Sequence, residues 1–309
     1  MKWNIHRFAF CAVVVAMLCI AGLMTVMEAA GAESELRVVS DHTIPGFVYP
    51  ESAAYEPKEG VLYVSEFGSV LKPKLKDGSG RICKVSVSGH ILERQFLPLS
   101  PSRLNKPKGI WIQGSRLWVT DIDMVWIFDI ETRTGKALPL PMAQFANDPV
   151  VINNVLYISD SETKKIYRIE PADYLTETKE PAVTVYGTEL SFSPNGLYPA
   201  RDGSLLVAGF SGGEQDFGVY IIEEQESFGT IVKNVGWLDG VAQLDDESLL
   251  MTDWKSGTLL MWNRTMGVKK LAEGFKGPAD FCVVPQDNGM LVVVPDLVKG
   301  EIRLIRLMR

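Results

Sequence analysis

Arg116-Leu117-Trp118-Val119-Thr120-Asp121 is a short apolar run of strand type, and it has five counterparts elsewhere in the chain. They are Val61-Leu62-Tyr63-Val64-Ser65-Glu66, Val155-Leu156-Tyr157-Ile158-Ser159-Asp160, Ser204-Leu205-Leu206-Val207-Ala208-Gly209, Ser248-Leu249-Leu250-Met251-Thr252-Asp253 and Met290-Leu291-Val292-Val293-Val294-Pro295. The shared leucine recurs at steps of 55, 39, 49, 44 and 42 residues. Beyond the N-terminal segment no stretch shows a long amphipathic helical period, so the chain is all-β. A period of this size with several strands per unit belongs to a β-propeller.

Working outward from each run, a second strand follows at 82–85, 125–130, 165–169, 219–222, 258–262 and 301–305. Further short strands close most units, such as 91–97, 230–235 and 268–272. With the segment that precedes each repeat, this makes four strands per unit and predicts a six-bladed propeller. The last unit runs out of chain at Arg309 with three strands, while Leu36-Arg37-Val38-Val39-Ser40 stands unused near the N-terminus. That piece is expected to supply the outer strand of the last blade, which closes the ring and covers two sheet edges. The stretches 68–80, 170–181 and 211–218 read as loops.

Residues 1–32 read as a signal peptide: Lys2 and Arg7 precede an apolar run from Phe8 to Met27, and Ala30-Gly31-Ala32 offers a small-x-small cleavage site. The alternative is a retained membrane anchor formed by residues 8–27, since the run is just long enough to span a bilayer. The domain expectation is therefore a signal peptide, 1–32, and one propeller, 33–309, secreted or periplasmic, with a membrane contact only if the segment is retained. Lys2, Arg7 and Glu28 leave with the segment, so 29 basic and 37 acidic residues remain, a formal charge of −8. Nucleic acid and anionic membranes are poor partners for such a chain. A monomer acting on a small molecule is expected. Cys11 and Cys19 belong to the segment, and Cys83 and Cys282 lie in apolar strand patterns, where buried thiols are expected. Asn263-Arg264-Thr265 would be a glycosylation acceptor in a eukaryotic secretory pathway.

In a propeller the innermost strand of each blade lines the central channel. Its start lies about ten residues before the shared leucine, and five units place a carboxylate or amide there: Glu51, Asn147-Asp148, Asn195, Asp239 and Asp280; the sixth places Lys108. Asn-Gly, Asp-Gly and Asn-Asp-Pro are each ordinary turn sequences. Their agreement across units predicts instead that these side chains converge on one axial point. An all-oxygen set without His or Cys suits a hard divalent cation, Ca²⁺ or Mg²⁺, over zinc or copper.

Pro50-Glu51-Ser52, Asn147-Asp148, Ser193-Pro194-Asn195-Gly196 and Leu238-Asp239-Gly240 resemble the gluconolactonase family, also called the senescence marker protein family (LRE-like). Its members are six-bladed propellers with one divalent metal in the channel, and the resemblance spans essentially residues 33–309. It implies that Glu51, Asn195 and Asp239 are metal ligands, that Asn147 lies close to the metal or its water, and that Asp239 is the general base. Calcium is the expected ion, with Mg²⁺, Mn²⁺ or Zn²⁺ as substitutes within such a family. The match departs at Phe145, where the family's sugar lactonases carry an arginine; this points to a more apolar lactone or ester.

The activity so implied is metal-assisted opening of a lactone or ester, with Asp148 and Asp280 beside the attacking water and Lys108 offsetting charge or orienting substrate. His6, His42 and His90 are the only histidines, and none falls on an inner strand, so a Ser-His-Asp triad has no base. No glycine-rich phosphate loop precedes a helix. Two other readings stand beside the enzyme. Lys106-Pro107-Lys108-Gly109-Ile110-Trp111 followed by Leu117-Trp118-Val119 resembles an NHL-type blade, as in non-catalytic binding propellers. A metal could also serve as a structural pin across the blades.

Overall fold

A computed structural model of the chain describes residues 36–186, 190–210, 216–223 and 228–309. The signal-peptide or anchor expectation for residues 1–32 lies outside the described residues, as does most of the loop expected at 211–218. Residues Arg37–Met308 form one unit by their internal contacts. Among the described residues there is no helix: 24 strands make six antiparallel sheets of four.

The chain opens with β1 (Arg37–Pro45) and then builds blade one from β2 (Pro50–Glu56), β3 (Val61–Glu66), β4 (Arg81–Ser86) and β5 (Ile91–Leu97). Blade two is β6 (Pro107–Gln113), β7 (Arg116–Asp121), β8 (Met124–Asp129) and β9 (Gly135–Pro139). Blade three is β10 (Ala146–Ile152), β11 (Val155–Asp160), β12 (Lys165–Glu170) and β13 (Ala182–Tyr186). Blade four is β14 (Ser193–Pro199), β15 (Leu205–Phe210), β16 (Phe217–Ile222) and β17 (Phe228–Gly236). Blade five is β18 (Leu238–Gln243), β19 (Leu249–Asp253), β20 (Thr258–Asn263) and β21 (Gly267–Glu273). Blade six is β22 (Cys282–Gln286), β23 (Gly289–Asp296) and β24 (Glu301–Met308), with β1 as its outer strand. β1 pairs with β24 from Arg37 opposite Met308 to Pro45 opposite Glu301, which is the ring closure expected from the spare N-terminal piece.

Strand alternation explains the packing, because side chains two apart share a face of a sheet. In β3, Leu62 and Val64 turn toward blade six and meet Val293 and Ile302, whereas Tyr63 turns toward blade two and packs with Leu117 and Phe128. Each blade is therefore apolar on both faces, and the ring buries both. Cys83 and Cys282 lie in such strands as free thiols; Cys83 is fully buried, which pushes its pKa up to about 12.

One repeated irregularity positions everything that follows. In the first five blades the inner strand starts with a β-bulge: pairing skips from Pro50 to Ala53, Pro107 to Ile110, Ala146 to Pro149, Pro194 to Leu197 and Leu238 to Val241. A bulge frees backbone donors from the ladder. The residues ending the second strand recover them. Hydroxyls of Ser65, Ser159 and Thr252 accept the N–H of Ser52, Asp148 and Gly240 at 2.9, 3.0 and 2.8 Å. The buried acids one step later, Glu66, Asp121, Asp160 and Asp253, accept N–H groups of Val48, Asn105 and Lys106, Gln144, and Trp237 at 2.7–3.0 Å. The hydroxyl of these closing pairs thus braces the bulge where it accepts, and the acid ties down the chain that leads into it.

Candidate metal centre

Two residues per bulge point different ways, so the channel carries two rings and not one. The upper ring holds Glu51, Lys108, Asn147, Asn195 and Asp239, all buried. Blade six contributes Ala279 to it, which a pair of equivalent hydrogen bonds shows: Thr120 Oγ1 donates to the Asn147 carbonyl one blade on, and Thr252 Oγ1 donates to the Ala279 carbonyl one blade on. The lower ring is Ser52, Gly109, Asp148, Gly196, Gly240 and Asp280. Three of its members are glycines because the next blade leaves no room: a Cβ on Gly109 would lie 2.2 Å from Asp148 Oδ1, and one on Gly196 would lie 2.3 Å from the Asp239 carbonyl.

Asp148 and Asp280 therefore do not join the other predicted residues. Asp148 Oδ2 accepts the Leu197 N–H at 2.6 Å, and Asp280 Oδ2 accepts from Ser52 Oγ at 2.7 Å. Both line a cavity of about 380 Å³ at the opposite end of the channel, among Tyr55, Trp111, Tyr198 and Val241. Burial raises the pKa of both; for Asp148 the charge of Asp280 adds to the effect, and Asp280 reaches about 6. Blade six is misregistered by its sequence because Asp296 lies five residues after the shared leucine, Leu291, where Glu66, Asp121, Asp160 and Asp253 lie four after theirs; Asp296 takes the bracing role by accepting from Lys276 and Gly277.

Glu51, Asn147, Asn195 and Asp239 come together on the floor of a cavity of about 320 Å³, with Ser161 beside them. Asn147 Nδ2 donates to Asn195 Oδ1 at 2.5 Å and to Ser161 Oγ at 3.0 Å, and Ser161 Oγ donates to the Pro194 carbonyl at 2.7 Å. Glu51 Oε2 is buried with no hydrogen-bond partner. Burial raises the Glu51 pKa well above the usual carboxylate range, with Asp239 pushing further upward and Lys108 opposing. Asp239 is raised by burial and by the charge of Asp280, against a hydrogen bond from Asn195. A buried acceptor without a donor, beside a second carboxylate, is the environment that a cation relieves. Among the described residues no three His, Cys, Asp or Glu side chains gather as a metal cluster, so the two floor acids need amide oxygens to complete a ligand set. Glu51, Asp239 and the Asn195 carbonyl oxygen fit a hard divalent ion, since that oxygen has a second lone pair beyond the one given to Asn147.

Lys108 is buried and donates to the Lys106 carbonyl at 3.4 Å; its ammonium lies 4.3 Å from the Phe145 ring centroid and 5.8 Å from that of Phe67. Burial lowers its pKa to about 8, against the attraction of Glu51. Phe145 therefore covers the one buried cation of the ring. Sequence reasoning missed Ser161 and the bracing residues, although Ser65-Glu66, Thr120-Asp121, Ser159-Asp160 and Thr252-Asp253 stood in plain view as a repeated dipeptide.

Fold and site together define a six-bladed propeller with an acid-amide ring at one mouth of its channel. Solved structures share that fold over most of their length. Virginiamycin B lyase from Staphylococcus aureus superposes with a TM-score of 0.60 at 12% identity, over 89% of this chain and 100% of its own. A gluconolactonase from Xanthomonas campestris gives 0.63 at 12% identity over 88% and 91%. A streptogramin B lyase gives 0.58 at 14% identity over 87% and 97%. At such identities the likeness establishes the architecture. No family model matches the chain. No curated protein matches it by sequence.

Proposed function

We propose that the chain is a metal-dependent hydrolase that opens a lactone or carboxylic ester, and that Asp239 is its general base. The observation that carries this reading is the floor of the upper cavity: Glu51 Oε2 buried without a donor, next to Asp239 and Asn195. A divalent ion held by Glu51, Asn195 and Asp239, calcium first among the candidates, would polarise the scissile carbonyl. Asp239, beside the ion and the reacting carbonyl, takes a proton from water. The water oxygen bonds to the acyl carbon, the acyl C–O bond breaks, and the proton passes to the departing alkoxide. Asn147 orients the Asn195 amide, and Lys108 balances the negative charge of Glu51. Asp148 and Asp280, in the lower ring, shape the field around Asp239 without reaching its water.

The gluconolactonase among the structural neighbours and the residues quoted for the family resemblance support this reading. A second reading, a non-catalytic recognition propeller, is favoured by the small number of floor acids. Export by the segment 1–32, or retention by residues 8–27, remains part of the proposal. Calorimetric titration of Ca²⁺, then Mg²⁺, Mn²⁺ and Zn²⁺, into wild type, Glu51→Ala and Asp239→Ala tests it. Stoichiometric binding lost in both variants, with hydrolysis of a lactone or ester in the wild type alone, is the expected result. Silence with all four ions leaves the recognition propeller.

A further inference from the structure

Above the polar floor the upper cavity changes character. Phe145 and Phe210 stand on one side and Trp254 and Leu297 on another, and Phe67 begins the long β3–β4 loop that forms the roof. That loop, residues 67–80, crosses from blade one over its neighbours as a strap. Leu71 and Pro73 point its apolar middle into the cavity. Lys74 then pairs with Glu162 of blade three at 2.5 Å, and Lys76 pairs with Asp123 of blade two at 2.5 Å. Its base is fixed by the fully buried Lys106, which donates to the Phe67 carbonyl at 2.9 Å, Asp77 at 2.8 Å and Ser79 at 3.0 Å.

The hydrogen-bonding capacity of the described lining sits on the floor: Glu51, Asn147, Ser161, Asn195 and Asp239. Of the described walls and roof, the indole N–H of Trp254 is the one side-chain donor, and there is no side-chain acceptor. Against the described walls and roof a polyhydroxylated ring would find few partners for the hydroxyls that point away from the floor, and each one left unpaired costs more than a missing apolar contact. At about 320 Å³ the cavity also lies at the small end for ligand sites.

We propose that the site takes a compact lactone or ester with an apolar, preferably aromatic, body, and that the Leu71-Pro73 strap is the element that selects it. The inference rests on the hydrolase reading for its acyl group, whereas the apolar body is read from the walls alone. The carbonyl faces the Glu51-Asn195-Asp239 floor, and the ring lies between Phe145, Trp254 and Leu71.

Three measurements on the full, Ca²⁺-loaded chain test this. Hydrolysis of dihydrocoumarin is compared with that of D-glucono-1,5-lactone. Binding of the hydrolysis-resistant lactam of dihydrocoumarin is followed by calorimetry, and both are repeated in Leu71→Asp. Leu71 is 39% exposed on a loop, so the substitution leaves the folded ring intact. The expected result is a kcat/KM preference for dihydrocoumarin of about a hundredfold, with lactam affinity and dihydrocoumarin turnover both falling about tenfold in Leu71→Asp while Ca²⁺ affinity is unchanged. Equal or better use of the sugar lactone, no lactam binding, or lactam binding indifferent to Leu71→Asp overturns the proposal. Lactam binding that depends on Leu71 without hydrolysis of either lactone removes the hydrolase and leaves the apolar site standing.

Discussion

Gly196 and Asp239 are neighbours across a blade boundary, and the space between them is already full. A methyl group on Gly196 would lie 2.3 Å from the Asp239 carbonyl and 2.9 Å from Gly240 Cα, both backbone atoms that cannot swing aside. Gly196→Ala is expected to lower stability by about 1–3 kcal/mol, as overpacking does, and to weaken cation binding by pushing Asp239 away from Asn195. Paired denaturation and calorimetry check this; unchanged affinity in a destabilised variant would separate the two rings. The same residue pairs explain what the sequence could and could not reveal. Glu51, Asn147, Asn195 and Asp239 were legible because each opens an inner strand at a repeat position. Asp148 and Asp280 were drawn into the same group because a linear count does not show that a bulge sends successive side chains to opposite sides of the channel. In blade six, one added residue also moved Ala279 into the position assigned to Asp280.

At the scale of the element, the strap is a loop whose order comes from charge. Burial works against ionisation of Asp77, yet hydrogen bonds from Lys106, Ser79 and Ser69 hold its pKa well below the usual carboxylate range. A depressed folded pKa means that the unfolded chain binds the proton more readily, so this stabilisation is present above the unfolded value of about 4, declines below it, and is lost only as pH falls through the depressed folded pKa. Asp77→Asn is expected to unfold at a lower temperature than wild type at pH 7, by no more than about 1 kcal/mol because the pair is partly solvated. The gap should narrow when both proteins are melted near pH 3, because the unfolded chain has by then taken up the proton that folded Asp77 still lacks; a gap independent of pH would mean that Asp77 acts by shape alone. Strands were read well where β-branched and aromatic residues alternate, as in β3 and β12. β9 and β13 were not singled out, since Gly135-Lys136-Ala137-Leu138-Pro139 has little strand propensity and half-exposed outer strands show weak patterning.

For the whole molecule, the critical joint is the seam between β1 and β24. Arg303, 8% exposed in its residue surface, pairs with Asp41 of β1, and Ile44 packs against the core shared by blades six and one. Removal of residues through Pro45 would take away the carboxylate partner of that guanidinium, leaving it the Glu273 carbonyl and the Phe275 ring, and would open the full edge of β24. A loss of about 3 kcal/mol, from the lost burial of Ile44 and the lost strand pairing, and self-association are expected, read by chemical denaturation and by size-exclusion chromatography. A monomeric truncated protein of native stability would show that blade six needs no outer strand.

The seam also dictates an order of events. Arg37 and Met308 are partners in one strand pair although nearly the whole propeller lies between them in sequence. Each of the first five sheets is made of consecutive strands and can form as soon as its own stretch of chain is available. The sixth cannot, because its outer strand appears first and its inner three appear last. During synthesis β1 must wait, unpaired, until the final strand emerges, and the entropy of closing so long a loop falls on that last encounter. The ring is therefore completed only once β24 has been made, and a molecule cut short anywhere before β24 would keep its first strand exposed.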